Sequence, residues 1–485
     1  MRMNWIALAI AGALALPAHT ALAQTNARPR IEKAADLPRF SYPVQGALDE
    51  LVRSPERFAP LAAAIRRDTE SVLAGYDIPD KATRRDLLSL LAAMDYLDGR
   101  YDAALDKAEQ VRALQDKPAD KLISGLRLRA MATAAKAHGP SGPAFEQAVA
   151  AAIARELAPL PYAVIANDIK GAKASAELVG EGLALGRVRE VLQPIADSSG
   201  RISSEFAPML VGARLTLTGV LPLKQALVDT YGRYLAAHQV AKADIWAARD
   251  VTLQAAQVKA PVRLAVWDSG VDTALFAQQL VRDAQGQPAV IGFDKYSRPA
   301  HTTLMPIPAE LQSQLPAMVA RTKGFSDLQS NIDSPEASLV KRWLSTLPPK
   351  EYKAAIEEIN LAGNYEHGTH VAGIAMAGNP GARLVVARIE FGHTLQPDPC
   401  PSLEQTQRDA AAIRASVDFL RQQQVRVVNM SWGGNIKGVE SDLEQCGLGG
   451  TPEGRAKLAR EYFDIQKRAE TEAMAAAPEI LFIAA

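Results

Sequence analysis

Asn364 to Gly378 reads NYEHGTHVAGIAMAG. Two histidines, His367 and His370, stand three apart between glycines in a chain that has only 7 histidines in 485 residues. The small and aliphatic residues around them have the texture of a helix packed tightly against a neighbour. Val371 and Ile374 are assigned to the core, while Gly368, Ala372 and Gly373 leave room for close backbone approach. On this reading His367 falls at the start of the helix. The positive end of the helix dipole disfavours an imidazolium there, so a nearby carboxylate is needed to steady a protonated ring. A zinc site of the His-Glu-x-x-His kind does not fit, because Glu366 precedes the first histidine and the spacing is three instead of four. No metal is assigned. His370, one turn further on, is read as a structural residue pointing into the fold.

Working outward, APVRLAVWDSGVD contains a short apolar strand, Val262 to Trp267, that runs directly into a turn. Three comparable runs follow, in ARLVVARIEF, VRVVNMSW and EILFIAA, with helical stretches between them. Strands alternating with helices predict a parallel, doubly wound sheet whose functional groups gather at the carboxyl ends of the strands. Asp268 stands at such an end. By itself an aspartate before Ser-Gly is most often a turn former. It is also the candidate carboxylate partner for His367. From about 293 to 361 the alternation is interrupted by a polar loop and two or three short amphipathic helices, read as an insertion on the domain surface.

VRLAVWDSGVD, HGTHVAG and VVNMSWGG, in that order, resemble the three motifs of the subtilisin-like serine proteases, the subtilases. The resemblance covers about 260 to 485. It implies an α/β subtilisin-like domain, a protein or peptide substrate and no cofactor. It further implies that Asp268 is the triad aspartate, that His367 is the general base, and that Ser431, Trp432 and Gly433 pair with the substrate backbone as an added strand. Trp432 stands where the family usually has leucine or a similar residue, which implies a larger subsite wall. Two departures concern what is missing. The loop that binds calcium in many members is replaced by a nearly direct passage through IAMAGNPGARLVVARI. The family's Gly-Thr-Ser-Met-Ala stretch, with its nucleophile, occurs nowhere in the 485 residues, and EILFIAA stops short of the Ala-Gly-Asn that supplies an oxyanion donor. The sheet is therefore expected to be incomplete and the chain to be a truncated form.

Before this domain, residues 24–257 are rich in alanine and leucine at helical spacing and read as an all-α domain. Near 87–115, Gly99, Tyr101 and Ala104 are placed as in a tetratricopeptide hairpin, although such solenoids need about three repeats to bury their faces. This domain does not look like a short subtilase propeptide. Residues 1–23 have the layout of a cleaved signal peptide: Arg2, the apolar run Ile6 to Leu16, and a small-x-small site at Ala21-Leu22-Ala23. The apolar run is too short to span a bilayer. A secreted or periplasmic location follows, and there Cys400 and Cys446 are candidates for a disulfide. Lysine plus arginine and aspartate plus glutamate each total 54, so nothing points to nucleic acid or an anionic membrane surface.

The expected function is that of an exported serine endopeptidase, here an N-terminal portion without its nucleophile and hence inactive. The alternative is a non-catalytic binding protein in which a helical repeat domain is joined to a pseudoprotease fold.

Overall fold

The computed structural model describes residues 28–238 and 247–484. The predicted signal peptide, 1–23, lies outside the described residues.

The first region is built from helical hairpins. Lys81–Leu97 starts at Asp80, whose carboxylate accepts from the backbone N–H of Ala82 and Thr83. It ends before Gly99, whose φ of +73° lets the chain reverse into Tyr101–Ala113. The same device recurs in the next pair, where Gly139 and Gly142 take positive φ between Leu126–His138 and Pro143–Leu157. In that second helix Phe145, Val149, Ile153 and Leu157 are all buried, four residues apart, and form one stripe of the core. Each such aliphatic side chain contributes roughly 1.5–3 kcal/mol on burial. The region is not purely helical, because β1 (Ser41–Pro43) pairs antiparallel with β2 (Arg201–Ser203). Proline in so short an edge pair gave no alternation that the sequence could reveal.

The second region is a five-stranded, all-parallel sheet in the order β4-β5-β3-β6-β7. Its strands are β3 (Val262–Asp268), β4 (Val290–Phe293), β5 (Ala382–Ile389), β6 (Val427–Met430) and β7 (Leu481–Ala484). The four expected runs are all present. The additional edge strand, β4, comes from Val290-Ile291-Gly292-Phe293, where four residues split by glycine gave too little signal. The two faces of the sheet follow the period of two. Ala265, Trp267, Val385 and Ala387 face the helices Leu403–Gln422 and Pro452–Ala475, through Val417, Leu420 and Ala473. Val266, Leu384 and Val386 face Ala372 and Met376 of the helix Tyr352–Met376. Continuing that alternation by two places Asp268 on the second face, toward the histidine helix.

That helix corrects the sequence reading in two ways. It is one continuous element from Tyr352 to Met376, so His367 sits well inside it and the argument from the positive helix end does not apply. Its N-terminal half belongs to the expected insertion, which is therefore no separate surface appendage. The physical reason is that residues 352–366 contain no proline, and Leu361 and Ala362 are buried against Met305 and Met318. Gly363 is accommodated in the helix interior.

Candidate active site

Asp268 ends β3 fully buried. Its Oδ1 accepts from the backbone N–H of Ser269 at 2.7 Å and lies 2.8 Å from Nδ1 of His367, although 99 residues separate the two in sequence. The imidazole is about half exposed, at 48%, and its Nε2 has no hydrogen-bond partner among the described residues. One ring nitrogen is thus tied to a buried carboxylate and the other is open. An imidazole held this way keeps the tautomer that leaves Nε2 free to accept a proton, and the carboxylate stabilises the cation that results.

Close backbone contact sets this geometry. A Cβ on Gly368 would lie 2.2 Å from the carbonyl oxygen of Gly270 and 3.2 Å from Cβ of Asp268. The Gly368 N–H also donates to Ser269 Oγ at 3.2 Å, and the Asp272 N–H donates to Thr369 Oγ1 at 3.0 Å. The turn after β3 is therefore bonded to the histidine helix at two points immediately following the Asp268–His367 pair.

Two other expectations for this helix fail. Ile374 is 82% exposed, and His370 points outward instead of into the fold. With Gly368 and Ala372 turned to the sheet, His370 and Ile374, each two positions further on, fall on the opposite side of the helix. Burial raises the carboxyl pKa of Glu366, against the opposing pull of the His370 imidazole four residues on.

Ser431 to Gly434 leave the sheet beside this site, since Met430 of β6 is in register with Trp267 of β3, one residue before Asp268. The backbone groups of Gly433 and Gly434 make no hydrogen bond among the described residues, and Gly433 is exposed. Ser431 Oγ donates to Asn429 Oδ1 at 3.0 Å. Trp432 is half-buried, with its ring edge-on to Trp267 at 5.2 Å, on the face away from His367. Part of its indole packs on that core cluster. Cys400 and Cys446 form a disulfide with their Cα atoms 6.0 Å apart. The bridge joins the loop after β5 to the end of the helix Ile436–Gln445, which follows Gly434.

Several residues at the site gave no motif in the sequence. Glu357, Asn360 and Asn364 share the helix face that carries His367, being three or four apart. Asn364 Nδ2 donates to Gly392 O at 3.2 Å, Asn360 Nδ2 donates to His393 O at 3.2 Å, and Glu357 Oε1 accepts from the Leu395 N–H at 2.9 Å. Together they fix the loop after β5 along the histidine helix. Arg388, in register with Asp268, is buried, and that burial lowers its pKa. Its Nε donates to Thr302 O at 3.1 Å, next to the bond from the Val271 N–H to Thr303 O at 2.7 Å. A charge inside the apolar run ARLVVARI was the only available hint of it.

Residues 261–485 match the model of the Subtilase family. This domain belongs to the subtilases. No curated protein and no solved structure matches the chain significantly. The subtilase family is a family of serine peptidases, which accounts for a carboxylate and an imidazole held 2.8 Å apart at the carboxyl end of a parallel sheet.

Proposed function

We propose that this chain is an exported endopeptidase of the subtilase kind, in which Asp268 orients His367 and His367 is the general base. The observation that supports this best is the 2.8 Å contact between a fully buried carboxylate and a half-exposed imidazole inside the matched domain. His367 Nε2 would take the proton of a serine hydroxyl as it attacks the peptide carbonyl, then pass it to the leaving amine. Asp268 would stabilise the imidazolium. The peptide would lie as an added strand along Ser431, Trp432 and Gly433, using backbone groups such as those of Gly433.

The reading requires a nucleophilic serine from outside these 485 residues, and the chain by itself is proposed to be inactive. In subtilisin itself, loss of the serine lowers turnover on the order of a million-fold, a family figure that no distance here supplies. The leader at 1–23 supports export to the periplasm or the medium.

The test compares the 485-residue chain with a fusion that appends a subtilase segment carrying Ala-Gly-Asn and Gly-Thr-Ser. The chain alone should show neither peptide hydrolysis nor labelling by a fluorophosphonate probe. The fusion should gain both, and His367→Ala in the fusion should abolish turnover. Inhibitor-sensitive hydrolysis by the 485-residue chain alone would show that the nucleophile has been misplaced.

A further inference from the structure

The helical region touches the subtilase domain at several places, and two of these contacts reach elements that carry part of the site. The first is made by the short helix Glu181–Arg187, sequence EGLALGR. A Cβ on Gly180 would lie 2.8 Å from Ser345 O, one on Gly182 would lie 1.7 Å from Leu347 O, and one on Gly186 would lie 2.2 Å from Cγ of Tyr352. None of the three takes a positive φ, so the absence of a side chain serves proximity and not backbone conformation. Val340, Leu344, Leu347 and Tyr352 are buried in this seam, with Leu178 and Leu183 packed on them from the helical region. Tyr352 opens the helix that carries His367, which lies roughly 22 Å further along at 1.5 Å per residue.

The second contact reaches the helix Ile436–Gln445, which starts two residues after Gly434 and is capped by Asn435. Arg39 donates from Nε and Nη2 to the two carboxylate oxygens of Glu440, both at 2.6 Å, with the two side chains only 5% and 3% exposed. The Ser203 N–H donates to Glu444 Oε1 at 3.1 Å, and Glu205 pairs with Lys437 at 3.0 Å. Lys437, Glu440 and Glu444 lie on one face of their helix, at spacings of three and four. A buried bidentate pair adds little net stability, but it enforces one register, because sliding either partner leaves a desolvated charge alone. Between the two contacts, Gln396 of the loop after β5 donates to Glu190 O at 3.0 Å. None of these bonds involves Asp268, His367 or Ser431 to Gly434, and the imidazole stays half exposed with the helical region in place.

We propose that the helical region is a permanent positioning clamp for this site: it fixes the histidine helix relative to the substrate-facing segment Ser431–Gly434 and stays bound while the site is open. The proposal relies on the peptidase reading only for the naming of the site. Its test reads structure and not turnover, so either idea can fail without the other.

In the full chain, hydrogen–deuterium exchange should rise at least tenfold over 345–360 and 391–396 in Gly182→Val, and over 431–445 in Arg39→Met. Gly171→Ala, at a helical position with nothing within 4 Å of a new Cβ, should leave all three stretches unchanged. If Gly182→Val does not fold, Gly180→Ala provides the milder perturbation of the same seam. A specific protease site inserted after Asp250 then tests permanence: once cut, the two regions should co-elute as a one-to-one complex, and Arg39→Met should weaken that association. Dissociation on cutting, or exchange that rises only within the helical region, would overturn the proposal.

Discussion

Gly368 and Gly373 lie in the same helix and present opposite problems to a side chain. At Gly368 a methyl group would collide with the Gly270 carbonyl, a backbone atom that cannot rotate away, whereas at Gly373 it would meet nothing within 4 Å. Gly368→Ala should therefore destabilise the protein by about 1–3 kcal/mol, with overpacking outweighing the gain in helix propensity. Gly373→Ala should stabilise it by about 0.5–1 kcal/mol. Midpoints of urea unfolding report both signs, and equal shifts would mean that the helix does not approach the Asp268 turn as described. At this scale the sequence was informative where chemistry demands a fixed string. Asp268, His367 and Gly368, which the fold brings together, were all legible from motifs. Arg388, Asn360 and Asn364 were not, because each acts on a backbone carbonyl brought in from a distant segment. Nothing local to them encodes that partner.

The helices were legible as elements, but their ends were less so. The continuous helix Tyr352–Met376 absorbed a boundary that glycines and histidines had suggested, since burial of Leu361 and Ala362 favours continuing it. In the first hairpin, by contrast, the turn at Gly99 was readable and its buried charge was not. Asp95 is buried there and accepts from Arg66 and Lys107 at 2.7 Å, and from Arg100 at 2.7 and 3.0 Å. Burial pushes its carboxyl pKa up, but the hydrogen bonds from Lys107, Arg100 and Arg66 together outweigh this and hold it below the ordinary range. The depressed folded value fixes the sign. Asp95 contributes stability above the unfolded pKa near 4, and that contribution is lost as pH falls from there through the lower folded value. The stability gap between wild type and Asp95→Asn should therefore be full at pH 5 and narrow progressively toward pH 2, measured by circular dichroism during urea titration. A gap that stays constant over that range would contradict the assignment.

Over the whole molecule, strands alternating with helices were enough to read a parallel sheet, whereas its two faces, and the side on which Asp268 points, came only with the fold. The union of the two regions was invisible in the sequence. It depends on glycines in EGLALGR and on an arginine and a glutamate 401 residues apart, none of which forms a pattern before folding. It nevertheless has a consequence for any dissection of the chain. Residues 258–485 alone would expose the carboxylate of Glu440 without Arg39, the apolar seam around Leu347 and Tyr352, and the edge strand β7 with Leu481 and Ile483 already open to solvent. That portion is expected to aggregate on expression, whereas the full chain should elute as a discrete species in gel filtration. A soluble, monodisperse 258–485 portion would show that the helical region does not support the sheet domain.

The claim on which the functional account stands is that a buried Asp268 holds the His367 ring with Nδ1 protonated and Nε2 open. Nitrogen-15 NMR of the full chain labelled at histidine, recorded at pH 8 with His367→Gln to assign the signal, measures this directly. The account predicts that His367 is predominantly the Nδ1–H tautomer, with a low-field proton coupled to Nδ1, and that Asp268→Ala removes both features while the other six histidines keep their shifts. A predominantly Nε2–H ring at His367, unchanged by Asp268→Ala, would contradict it.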